Sequence, residues 1–219
     1  MRTNNKNSVL FIVLIFVAAN LSATKISAAL VQKQELSEQE QKATEWVQSL
    51  ELNDKAKEAR LIKVIASHLT DVRSWHNEHP FTMVPAGINP RTGDPLSELD
   101  RSIIADSAIP KSVHENLMSG LRAELSDEKV ELILDKYTIG KVAFTMKAYR
   151  EIVSDMTPEE DAELLANLKT AREMAVDYKS MKQISAIFEI YKTKNEQYLN
   201  NNGRNWRALY KAYVKSLKK

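Results

Sequence analysis

Residues 157–199 read TPEEDAELLANLKTAREMAVDYKSMKQISAIFEIYKTKNEQYL, and this stretch decides the fold. Leu164, Leu168, Ala171, Ala175 and Tyr178 recur at spacings of three and four, which draws one apolar stripe along a helix. Met181, Ile184, Phe188, Tyr191 and Tyr198 draw a second, interrupted by Asn195. Thr157 is placed to cap the first helix, Pro158 suits its first position and Glu160 completes a capping box. The stretch therefore predicts two amphipathic helices, joined near Lys179 and Ser180, that fold back on each other.

The same periodicity extends outward in both directions. Asn200, Asn201, Asn202 and Gly203 form a helix stop, and Trp206, Leu209, Tyr210, Tyr213 and Leu217 build a last helix. Upstream, Ser37 and Glu40 sign a helix start, with Trp46 and Val47 on its apolar face. Ile62, Ile65, Leu69, Val72 and His76 step along a long helix that Pro80 ends. Further helices are predicted over 96–107, from Pro110, from Ser126 and around Phe144, with a turn or short extended piece at 137–142. No strand pattern appears. The expected architecture is all-α, a single-domain bundle of roughly seven to eight helices with one long Pro/Gly-rich loop. That loop, residues 80–95, holds four of the six prolines and two of the five glycines.

Residues 1–29 read as a signal peptide. Arg2 and Lys6 give a basic start, 9–21 is almost wholly apolar, and Ser27, Ala28 and Ala29 suit cleavage. The apolar run is shorter than the roughly 20 residues of a membrane span, although an uncleaved anchor is the rival reading. The chain has no cysteine, so a lipoprotein anchor, thiolate metal sites and cysteine nucleophiles are all excluded. The expected mature chain is 30–219, periplasmic or secreted, with no membrane association after cleavage. Arg2, Lys6 and Lys25 lie in the leader, so the chain's 31 basic residues fall one short of its 29 acids once the leader is removed. Such a balance excludes a bulk basic field for nucleic acid.

Candidate chemistry is sparse. His76 and His79 are three apart and are weak candidates for a shared metal. His76 also continues an apolar stripe and His79 sits where its helix ends, so packing and capping explain both, and no metal or cofactor is expected. His68 and His114 stand alone and carry no assigned role. Tyr191, Tyr198, Trp206, Tyr210 and Tyr213 cluster in the last two helices. Aromatic faces beside polar donors can hold a sugar ring, by packing on its C–H face while hydroxyls take hydrogen bonds.

The segments LKTAREMA (168–175) and SMK (180–182), with Phe188, Tyr191, Lys192, Asn195, Tyr198, Leu199, Gly203 and Trp206, resemble a secreted family of Bacteroidetes. It is the domain-of-unknown-function family 3826; YTIGKV (137–142), Ala148 and Tyr149 resemble its preceding segment. Thr193 and Lys194, and Arg204 and Asn205, depart from its pattern. The resemblance implies a sugar-binding accessory protein in polysaccharide utilisation, with no catalytic residue assigned. On that reading Arg172, Glu173, Lys192 and Asn195 supply polar contacts and Tyr191, Tyr198 and Trp206 stack, in a protein that leans non-enzymatic. The competing expectations are a periplasmic helical chaperone or adaptor for protein clients, and an enzyme acting on polysaccharide fragments. Oligomeric state is open.

Overall fold

The computed structural model describes residues 37–90 and 92–218, and the leader read at 1–29 lies outside them. Through the described residues run α1 (Glu38–Gln48), α2 (Lys55–Glu78), α3 (Glu98–Asp106), α4 (Lys111–Glu124) and α5 (Asp127–Thr138). They are followed by α6 (Lys141–Ile152), α7 (Pro158–Ala175), α8 (Met181–Asn201) and α9 (Trp206–Ser216). Among the described residues there is no strand, only an isolated bridge between Ile88 and Pro95. The protein is all-helical. The nine helices among the described residues slightly exceed the seven to eight expected. Ser97 and Asp100 form a capping box that starts α3 as a separate helix. Ile139 and Gly140 both adopt left-handed backbone (φ 53° and 64°), so a two-residue link separates α5 from α6. Tyr137 and Thr138 are thus helical, where a turn or extended piece was expected.

Capping chemistry sets the start of the central pair. The Thr157 hydroxyl accepts from the Glu160 N–H, and the Glu160 carboxylate accepts from the Thr157 N–H at 2.9 Å. Ser180 and Gln183 repeat that box at the start of α8. Along the α7–α8 contact Leu164, Leu168, Ala171, Ala175 and Leu199 are fully buried, and each buried Leu contributes about 1.5–3 kcal/mol relative to exposure. Asn195, also fully buried, sits in the middle of this contact. Its side-chain amide donates to the Leu164 carbonyl (3.2 Å) and its oxygen accepts from Asn167 (2.9 Å). A satisfied polar pair in an apolar seam fixes the register of the two helices.

Two apolar cores result. One joins α1, α2, α4 and α5 around Val47, Leu61, Ile65, Leu117, Leu121 and Ile133. The other joins α6, α7 and α8 around Met146, Leu164, Leu168, Ile184 and Phe188. Arg172 of α7, 2% exposed, fastens them together by reaching Glu131 and Asp135 of α5, each at 2.6 Å. Between α2 and α3 the chain makes a 3-10 turn (Phe81–Met83). Arg101 of α3 donates twice to the Val84 carbonyl and lies over the Phe81 ring, which holds that turn against the helix. No helix among the described residues is long and apolar enough to cross a membrane.

Candidate functional site

Aromatic side chains gather where α6, α8 and α9 meet. Asn205 caps α9 by accepting from Ala208, while the Asn200 side chain accepts from the Trp206 N–H. These bonds fix Trp206 in the first turn of α9. Its indole lies 5.3 Å from the Tyr149 ring and is stacked with Tyr210 at 6.0 Å. Tyr149, Trp206 and Tyr210, with Lys192 and Glu196 from α8, line a pocket of about 270 Å³. Tyr149 is buried, and its hydroxyl donates to the Lys192 carbonyl. Burial, followed by the nearby Glu196 charge, pushes the Tyr149 pKa up, so the phenol stays a neutral donor. Burial also raises the Glu196 carboxyl pKa, against the opposing effects of Lys192 and of a hydrogen bond from Trp206. Tyr210 is half exposed. The pocket thus offers flat aromatic faces beside one carboxyl and one ammonium group.

The seven residues singled out from the sequence do not share one site. Lys192 and Trp206 line the aromatic pocket. Arg172 is buried in its ion pairs with α5, and Asn195 is buried in the helix seam. Glu173 borders a separate groove of about 840 Å³ with His114 and Lys169. Tyr191 donates to the Met174 sulfur at 2.9 Å, with the Lys194 ammonium over its ring. Tyr198 packs against the second core. Sequence reading missed Glu196 and Tyr149 as pocket residues. Lys192 and Glu196 stand four apart on α8, a spacing that places them on one face and offered a signal. Nothing in the local sequence connects Tyr149 to Trp206.

Histidines meet carboxylates at two other places. The Asp177 carboxylate, just past α7, takes His68 of α2 (3.0 Å) and His114 of α4 (2.8 Å). The hydrogen bond to Asp177 raises the His114 pKa above its ordinary value, against burial. Burial alone would raise Asp177, but the bonds from His114 and His68 outweigh it and hold the carboxyl low. At the second place Asp106 of α3, 4% exposed, binds the Nδ1 of His76 at 2.7 Å through one oxygen, which also accepts from Gln183. His79 stacks on Trp75 and its Nδ1 lies 2.9 Å from the Trp75 carbonyl. Among the described residues no group of three or more His, Cys, Asp or Glu side chains is arranged to hold a metal ion.

Fold and site together define an all-helical protein with an aromatic pocket at its C-terminal helices. The chain belongs to the family described as Protein of unknown function (DUF3826), whose model matches residues 36–219. A search of curated proteins finds no match to the chain.

Proposed function

We propose that the protein is an exported carbohydrate-binding accessory protein and that a sugar ring seats in the pocket of Tyr149, Trp206 and Tyr210. The observation that carries this reading is the partly exposed Trp206–Tyr210 stack beside the Glu196 carboxyl and the Lys192 ammonium. A pyranose has an apolar C–H face and a rim of hydroxyls. Aromatic faces bury the first, and charged acceptors and donors bind the second. Export follows from the leader read at 1–29, and the accessory role in polysaccharide utilisation from the family resemblance. Calorimetry of the mature chain against neutral, amino and uronic oligosaccharides tests the reading. At least one class binds, and Trp206→Ala weakens it by about 30-fold, the equivalent of roughly 2 kcal/mol for an aromatic anchor. Silence across all classes, or undiminished binding by a folded Trp206→Ala, refutes it.

A further inference from the structure

The pocket beneath the Pro80–Phe81 corner lies outside the aromatic site and holds groups that the sugar-binding reading does not use. It encloses about 130 Å³ and is lined by His76, His79, Phe81, Ser102 and Asp106. Asp106 is 4% exposed; one of its oxygens takes His76 Nδ1 and Gln183, and the other is buried without a partner. With the carboxylate oxygen accepting from Nδ1, the imidazole proton sits there and Nε2 is the acceptor nitrogen. Among the described residues Nε2 of His76 has no partner. Ser102 precedes Asp106 by four positions on α3, so the two share a face. Some helical hydroxyls of the chain, Thr70, Thr170 and Thr193 among them, bond back to carbonyls of their own helix. Ser102 is a half-buried residue and makes no such bond. A serine, an imidazole and the carboxylate that orients it thus line one small cavity. An orphaned buried carboxylate oxygen calls for a functional explanation.

We propose that this pocket hydrolyses short acyl esters, with Ser102 as nucleophile, His76 as general base and Asp106 as the positioning residue. Ser102 Oγ attacks the acyl carbon while its proton passes to His76 Nε2. The acyl carbon–alkoxy bond then breaks, and the leaving oxygen takes that proton. Water attacks the acyl-serine and gives a proton to Nε2, the carbon–Oγ bond breaks, and Ser102 recovers its proton as the acid departs. The cavity's volume admits an acetyl-sized group and leaves the alcohol portion outside it.

The test treats the whole protein with a fluorophosphonate probe and maps the adduct by peptide mass, alongside turnover of 4-nitrophenyl acetate. The adduct falls on Ser102. Ser102→Ala abolishes labelling, and His76→Asn lowers turnover by roughly 10²–10⁴-fold. Asp106→Asn, which presents the imidazole with the wrong tautomer partner, lowers kcat while KM stays in place. A melting curve shows that each variant is folded. Absence of an adduct on Ser102 in the folded protein overturns the proposal, as does turnover that survives Ser102→Ala undiminished.

Discussion

Arg172→Met removes the cation that joins the two apolar cores and replaces it with an apolar side chain of comparable length. Arg172 is 2% exposed and holds Glu131 and Asp135 at 2.6 Å each, while those carboxylates keep 35% and 33% of their side-chain surface in contact with water. Breaking a fully buried ion pair by removing one partner costs about 3–5 kcal/mol. The two carboxylates left behind rehydrate in part, and Lys169 still binds Glu131 at 2.9 Å, so the lower end of that range applies. Burial tends to raise the Glu131 pKa, and the bonds from Arg172 and Lys169 overcome it to hold the carboxyl low. Loss of Arg172 releases that hold. A cost of about 3 kcal/mol corresponds to a melting-temperature drop of about 6–12 °C for a chain of this size. Thermal unfolding followed by circular dichroism at pH 7 measures it. Arg172→Lys keeps the charge without the two-pronged geometry and falls between the variants. A drop below about 2 °C for Arg172→Met refutes the view that this side chain fastens the cores together.

Gly120 lies where α4 crosses α2, and a Cβ there meets both methyls of Val64 at 2.8 Å. Gly120→Ala adds up to about 1 kcal/mol of helix propensity but forces an overlap costing about 1–3 kcal/mol. It destabilises in urea unfolding, and Val64→Ala in the same chain restores stability; a stabilised single variant contradicts the packing described. His114 has its pKa raised on folding, first by its bond to Asp177. The stability it contributes is therefore complete below its unfolded value near 6.5 and is lost as pH rises through the higher folded value. Melting temperature accordingly falls between pH 6 and pH 9, and His114→Gln flattens that slope; equal slopes for the two proteins remove the Asp177 pair as its source. Thr157→Ala deletes one arm of the capping box at α7 and costs about 0.5–2 kcal/mol in the same urea assay.

The helices were legible wherever a stripe met a signed end. Thr157, Pro158 and Glu160 announce α7 by local chemistry alone, and the apolar spacing carries through Ala175. The turn around Gly140 was legible, but its narrowing to two residues with Ile139 left-handed was not, because a β-branched residue with φ 53° runs against its intrinsic preference. Tertiary context outweighs propensity at that position. The site was harder to read than the helices. Arg172, Glu173, Lys192 and Asn195 share two helices, but sequence does not say which way each one faces. The structure sends Arg172 to α5, Asn195 into the seam, Glu173 to His114, and Lys192 alone to the aromatic pocket. His68, His114 and Asp177 come from three elements, and His76, Asp106 and Gln183 also come from three, with α2 supplying a histidine to each cluster. Polar clusters of that kind are made by helix packing, and no spacing along one helix encodes them.

A crystal of the mature protein soaked with the tightest-binding oligosaccharide shows where the sugar sits. One sugar ring is expected flat against Trp206, with hydroxyls within hydrogen-bond distance of Glu196 or Lys192. A sugar bound in the groove beside His114 and Glu173, with the aromatic pocket empty, overturns the assignment of the sugar to the pocket of Trp206.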